Sequence, residues 1–438
     1  MQTKQNKDNS LVWFRNDLRI RDNASLAKAI DAGGHVIAVY FFDPRQFTRN
    51  SFGFKKTERY RAKFLLETVT DLKASLAELN ITLLTYINQP ENIICRLVEE
   101  YQIEHVYLQG EWTSEEVEVL QNVTDSLSDK VKMVESYDQF LFHPEDIPFQ
   151  IEQIPQSFTN FRKKCEKYSQ VRPEPKSAER LPKSNLLEVD NELPSISDLG
   201  FEPFLTDDRT AFPFSGGERA ALKRLHDYFW GTRRLSYYKQ TRNGLVGADY
   251  SSKFSPWLAN GSISPRTIYW EIKKYEKTVI KNQSTYWLVF ELIWRDYFKF
   301  VSFKHGNDIF KLEGILHREL HWETDQQLVE QWINGTTPDD FVNANMLEIK
   351  HTGWMSNRGR QNVASYFAKN LLLDWRIGAA YFESMLLDYD VHSNYGNWMY
   401  VAGVGNDPRD RKFNTKLQAE RYDPHGKFQR LWLQNVLF

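Results

Sequence analysis

From Leu11 to about Glu135, short apolar runs alternate with amphipathic stretches. LVWF is followed by a helical pattern after Asn23, HVIAVYFF by one over 59–80, and ITLLTYI by one over 91–101; HVYLQG and VKMVES close the series. Short buried strands separated by single helices pair in parallel through right-handed crossovers. Residues 1–143 therefore read as a doubly wound α/β domain with a parallel sheet. Neither a G-x-G-x-x-G nor a Walker A loop follows these strands, which excludes an ordinary nucleotide dehydrogenase or ATPase.

The pattern changes over 144–215, which is Pro-rich, mixed in charge and short of long periodic runs. It reads as a connector wrapped on the surface, because Phe158, Phe161, Leu186 and Leu187 need cover. From 216 to 438 nearly every stretch has helical period. Ser255-Pro256 and Ser264-Pro265 predict helix starts with a hydroxyl at the N-cap and proline at the first helical position. The last portion is thus an all-α domain. No internal repeat or low-complexity tract interrupts it.

Composition sharpens the contrast between the halves. Aromatic residues make up 14% of the chain, and 11 of the 13 Trp lie from Trp230 onward. The net charge of −2 conceals −8 over 1–215 and +6 over 216–438. Cations interleaved with aromatics suit phosphate backbones and base stacking, although solvated helix faces produce the same count. Cys95 and Cys165 stand far apart with no histidine cluster, so neither a disulfide framework nor a zinc site is expected. Without an apolar leader or a membrane-length run, a cytoplasmic, soluble protein is expected, and a monomer.

Four stretches carry candidate chemistry. In YSSKFSPWLANG (250–261), three hydroxyls and Lys253 precede a helix start, a seat for phosphate and equally an ordinary Ser-rich cap. FELIWRDYF (290–298) sets Glu291, Trp294 and Arg295 on one helix face, as a site or as a plain Glu-Arg ion pair. TGWMSNRGRQN (352–362) opens a helix with Asn357, Arg358, Arg360 and Gln361, all able to bond a base edge or phosphate. LLDYDVHSNYGNWMY (386–400) spaces Asp388 and Asp390 two apart, with Asn394 four beyond. No further ligand completes a metal shell there, so no metal is expected and His392 reads as a packed or surface residue.

Together with LVWFRNDLRIRDN, YKQTRNG, LLLDWR and GVGNDPR, these motifs resemble the photolyase/cryptochrome family, in its cryptochrome DASH branch, over nearly the whole chain. The resemblance implies an antenna domain, a connector and a helical domain that binds FAD. It implies Tyr238, Ser251, Ser252, Lys253, Phe254 and Ser255 at the FAD phosphates and ribityl chain, with Arg295, and Arg360 paired with Asp388 beside the isoalloxazine. Asp390 would bond the ring's polar edge. Asn394 would face flavin N5, its neutral amide tolerating a reduced, anionic ring where a carboxylate would repel it. Trp398, Trp375 and Trp322 would carry an electron from the surface to the flavin.

For substrate, the resemblance implies blue-light-driven splitting of cyclobutane pyrimidine dimers in DNA by an electron from reduced flavin. Glu291, Trp294, Asn357 and Gln361 would line the lesion site, with Glu291 as a protonated donor to a pyrimidine carbonyl. Arg242 and Arg358 would hold phosphate. Paired histidines, which a (6-4) lesion enzyme would need, are missing around 353–362. Tyr400 stands where ordinary photolyases have a second Trp, a smaller stacking platform that favours single strands, whose bases need no flipping. The branch also implies methenyltetrahydrofolate as antenna, with Glu111 at its pterin, although neighbouring Trp112 departs from the expected pattern. The alternative is a blue-light photoreceptor that binds DNA or RNA. The chain stops soon after these motifs, which favours the enzyme.

Overall fold

The computed structural model describes residues 8–434 except 177 and 408. Strands β1 (Asp8–Phe14), β2 (Gly33–Phe41), β3 (Thr82–Tyr86), β4 (Ile103–Gln109) and β5 (Lys132–Ser136) form one parallel sheet in the order β3-β2-β1-β4-β5. Helices α1 (Ala24–Asp31), α2 (Arg59–Glu78), α3 (Pro90–Tyr101) and α4 (Ser114–Asp125) make the crossovers. Side chains alternate along a strand, and the packing obeys that period. Val12 and Phe14 of β1 pack with Leu26 of α1 and Leu72 of α2, whereas Leu11 and Trp13 pack with Ile94 of α3 and Val123 of α4. A doubly wound domain buried on both faces results, as the apolar runs predict.

The connector does a specific job at the sheet's β3 side. The Asn185 side-chain amide accepts from the N–H of Val36 and donates to its carbonyl, and Asn191 does the same for Thr85. These amides occupy main-chain groups that an open strand edge would leave free for another chain. Phe158 and Phe161, on α5 (Phe158–Tyr168), are buried as expected. Leu186 is not. Its neighbour Leu187 turns inward, which leaves Leu186 facing solvent at 42% exposure.

The remainder is helical: α6 (Glu218–His226), α7 (Tyr238–Thr241), α8 (Ser255–Ala259), α9 (Pro265–Thr278), α10 (Gln283–His305), α11 (Gln326–Asn334), α12 (Asp340–Thr352), α13 (Asn357–Ser365), α14 (Trp375–Met385), α15 (Val391–Ala402), α16 (Thr415–Tyr422) and α17 (Lys427–Leu433). Ser264 caps α9 by accepting from the Thr267 N–H, as its sequence predicts. Ser255 does not cap α8. It is the first helical residue, and Phe254, in the cap position, has no capping side-chain bond. Helix α10 runs through the core, with Leu288, Leu292, Ile293, Phe300 and Val301 all buried. Among the described residues no helix is long and apolar enough to cross a membrane.

Buried polar contacts fix the α/β and helical portions to each other. Arg266 of α9 bonds Asp22 at 2.5 Å and Asp138 at 2.7 Å. Asp296 of α10 accepts from the N–H groups of Leu141 and Phe142. Gly261 has φ 74°, and a Cβ there would sit 2.0 Å from the Asn16 carbonyl oxygen, so glycine is required at this crossing. Removing Arg266 would strand the fully buried Asp22 carboxylate, and breaking one side of such a pair costs about 3–5 kcal/mol. We expect Arg266→Met to lower the urea unfolding midpoint by a corresponding amount, while Arg21→Met, at an exposed ion pair with Glu174, shifts stability by under about 1 kcal/mol.

Candidate cofactor and ligand cavity

A cavity of about 550 Å³ opens between α7, α10, α13 and α15. The loop before α8 forms one wall. Arg224 of α6 holds that loop from behind: its Nε donates to the Ser252 carbonyl, its Nη2 to Ser251 and its Nη1 to Asp249. The loop's oxygens are thereby occupied, while among the described residues the N–H groups of Ser251, Ser252, Lys253 and Phe254 donate to no protein acceptor. Lys253 has a left-handed backbone with φ 64°, and its buried ammonium lacks a hydrogen-bond partner, 3.4 Å from the Tyr250 ring centroid and 4.4 Å from that of Trp354. Free N–H groups and an unpartnered buried amine suit a diphosphate. They fit the seat expected of Ser251 to Ser255, with Tyr238 also on the wall.

Two carboxylates line the opposite side. Arg360 Nη2 donates to both oxygens of Asp388, at 2.8 and 2.9 Å, which is the pairing expected. Asp390 caps α15 through the Ser393 N–H and meets Lys299 Nζ at 3.0 Å. Burial opposes its charge, but Lys299 beside it holds the carboxyl well below the usual range. One turn into α15, the Asn394 amide donates to the Ala379 carbonyl and its side chain lines the cavity. Its oxygen is thus the end left to face a ligand. These acceptors, a neutral amide oxygen and two carboxylates each balanced by a cation, fit the N–H-bearing polar edge of a flavin.

The mouth differs from expectation. Glu291 and Arg295 share α10 but do not pair. Arg295 donates to the Gln139 and Leu258 carbonyls, and Glu291 is bonded by Arg242. Ring-lined burial still pushes the Glu291 carboxyl above its ordinary value, against the pull of Arg242. Trp294 stacks on Phe158 at 3.6 Å and 12°, with Tyr400 edge-on at 6.2 Å. Arg358 donates to the neutral side chains of Gln361 and Asn243 and lies over Tyr422, while its buried Nε has no hydrogen-bond partner among the described residues. Asn357, at the start of α13, is exposed.

Of the three tryptophans, Trp398 lines the cavity and Trp375 and Trp322 do not. Trp398 is so close to α14 that a Cβ on Gly378 would fall 2.2 Å from its ring, and Trp375 lies one turn earlier on that helix. Trp322 precedes a bridge between Glu323 and Leu373, two residues before α14 starts, and is less buried than the other two. Trp398 thus meets the cavity, Trp375 is fully buried and Trp322 is the most exposed of the three.

A second cavity of about 230 Å³ lies against the α/β portion and shares Arg295, Tyr389 and Asp390 with the first. Glu111 lines it, buried, accepting from Gln109 at 2.7 Å. Trp112, next to it, lines neither cavity: it stacks on His392 at 4.5 Å and donates to the Ser302 hydroxyl. His392 is packed, not exposed. Sequence reasoning missed Arg224, Lys299 and Glu348. Glu348, on α12, is fully buried beside Lys253 and Arg360, and burial pushes its carboxyl up to about 8. Lys299 had a signal, one turn after Arg295 on the same face; Arg224 and Glu348 sit in unremarkable helical sequence.

Family models match twice: DNA photolyase over residues 10–182 and the FAD binding domain of DNA photolyase over residues 287–436. A cryptochrome DASH from Gloeobacter violaceus is 49% identical, over 97% of this chain and 85% of that protein. One from Xenopus laevis is 47% identical, over 97% and 82%. The solved cryptochrome of Synechocystis superposes with a TM-score of 0.93 at 46% identity, covering 98% of this chain and 89% of that one. A class III photolyase from Agrobacterium tumefaciens gives 0.81 at 26% identity, covering 99% and 88%. With its sheet order, its helical FAD-binding portion and relatives at this level along almost its full length, the chain belongs to the photolyase/cryptochrome family, in the cryptochrome DASH branch.

Proposed function

We propose that this protein is a blue-light-driven lyase that binds FAD and restores cyclobutane pyrimidine dimers, preferentially in single-stranded DNA. The observation that carries the reading is that one cavity joins the phosphate-type loop at 251–255 and the Asp388, Asp390 and Asn394 set to a mouth lined by Glu291, Trp294, Asn357 and Gln361. When bound and reduced, FAD supplies the light-excited electron that opens the dimer. The chain's own contribution is binding and electrostatics. Ser251 to Ser255 seat the diphosphate, Arg360 and Asp388 fix charge beside the ring, and Asn394 offers a neutral amide that tolerates added negative charge.

At the mouth, Trp294 provides an apolar wall whose far side is already closed by Phe158. Tyr400 adds only a ring edge, so stacking energy for an extruded dimer is small against the few kcal/mol that flipping from a duplex costs. Glu291 stabilises a carbonyl that gains charge, by donating a hydrogen bond. Arg242 and Arg358 contact phosphate. The second cavity, with Glu111, takes a folate antenna of the methenyltetrahydrofolate type. Photoreceptor use of the same flavin is a second reading, supported by Trp398 on the cavity wall, next to the helix that Trp375 begins.

Illumination of the reduced protein with dimer-bearing oligothymidylate, followed at the thymine absorbance band, should show fast restoration in single strands and slow restoration in matched duplex. Equal rates would remove the single-strand preference, and no restoration of either would leave the photoreceptor reading. Loss of a hydrogen bond to a charged group, worth about 1.5–3 kcal/mol, predicts that Glu291→Ala slows restoration roughly 10- to 100-fold with FAD still bound. Trp375→Phe should abolish photoreduction of oxidised FAD by external donors, yet leave restoration by chemically reduced protein intact; a loss of both would mean that Trp375 is needed for packing alone.

A further inference from the structure

Two roles assigned under the proposed function, on which the inference rests, conflict in the free protein. Arg242 is assigned to phosphate and Glu291 to a pyrimidine carbonyl, yet Arg242 Nη1 donates to Glu291 Oε1. A carboxylate held this way only accepts hydrogen bonds. It has no proton with which to bond a carbonyl. We infer that the ligand resolves the conflict: its phosphodiester draws the Arg242 guanidinium off Glu291, and the abandoned carboxylate takes one proton from solvent and becomes the donor.

The surroundings of Glu291 make the exchange one-sided. On its own helix, Trp287 lies one turn before Glu291 and Trp294 one turn after, and both line the same cavity. From α7 come the buried Tyr238 and, at the helix end, Arg242. From α15 comes Tyr400, and from α13 Arg358, which is bonded to Gln361 and Asn243. Among the described residues Arg242 is the cation that favours the ionised carboxyl, and burial outweighs it even so. Without Arg242 the carboxyl loses the contact that opposes burial and shifts further upward.

Arg242 is suited to leave. It ends a helix of four residues, its guanidinium is within 6.0 Å of the Trp287 ring, and its planar fork matches two phosphate oxygens as well as it matches a carboxylate. Glu291 remains 29% exposed, so solvent can deliver the proton. Charge balances: one proton enters, the carboxylate becomes a carboxylic acid, and the phosphate gains the guanidinium. Since the bound state has the higher carboxyl pKa, ligand affinity falls as pH rises from the free to the bound value.

Calorimetry of the FAD-loaded protein in the dark, with a dimer-bearing thymine single strand at neutral pH in phosphate and in Tris, reads proton uptake directly. Uptake of close to one proton per complex is expected, and Glu291→Gln should bind with none. Wild-type binding without uptake overturns the inference while leaving the proposed function standing; absence of binding counts against the function itself. Infrared spectra of ligand-free Arg242→Leu supply a second reading, needing no ligand. A protonated carboxyl band that is absent from the Arg242→Leu, Glu291→Gln double variant is expected at neutral pH. If the single variant shows only carboxylate, the coupling between the two side chains is refuted.

Discussion

The contact between Lys299 and Asp390 is the constraint on which both cavities depend. Lys299 belongs to α10, the helix that also carries Glu291, Trp294 and Arg295, and Asp390 caps α15, which carries Asn394, Trp398 and Tyr400. One ion pair, 4% and 10% exposed, therefore sets the register between the two helices that supply most of the reactive lining. Buried pairs contribute little net stability, because desolvation offsets attraction. Their value here is positional. An apolar pair could hold the helices together, but it would fix neither the first residue of α15 nor the charge between the cavities.

Around that pair, charge is distributed by depth. The floor holds opposed groups that are satisfied within the protein, with Arg360 on Asp388 and Arg224 on the loop carbonyls. Lys253 and Glu348 differ: burial drives the amine down and the carboxyl up, so the low-dielectric floor disfavours both charges, and a bound anion would favour only the charged amine. Nearer the mouth, Arg242 and Glu291 are half-buried and reachable by water. Charge thus passes from enclosed and paired at the floor to solvent-reachable at the mouth.

Much of this was legible in the sequence, for reasons particular to each element. The strands announce themselves because both sheet faces are covered, which demands continuous apolar runs such as HVIAVYFF. Ser264 caps as expected because its backbone is extended; Phe254, by contrast, is already helical and Lys253 left-handed, so Ser255 begins a helix rather than capping it. Asp388, Asp390 and Asn394 were found by spacing. Partners across the fold were not: Arg242 for Glu291, Lys299 for Asp390 and Arg224 for the Ser252 carbonyl lie 28 to 91 residues from the groups they meet, apart from any local period. Leu186 failed because hydrophobicity predicts a need for cover and not which of two adjacent leucines receives it.

The stack of Phe158 beneath Trp294 carries an evolutionary implication. The ring that shapes the mouth is backed by a residue of α5, from the stretch before the helical portion. Lineages can therefore retune what the mouth admits by altering the length or tilt of α5, leaving every residue that touches a guest unchanged. Shifts in preference among descendants of this scaffold should be sought as readily in that outlying prop as in the cavity itself.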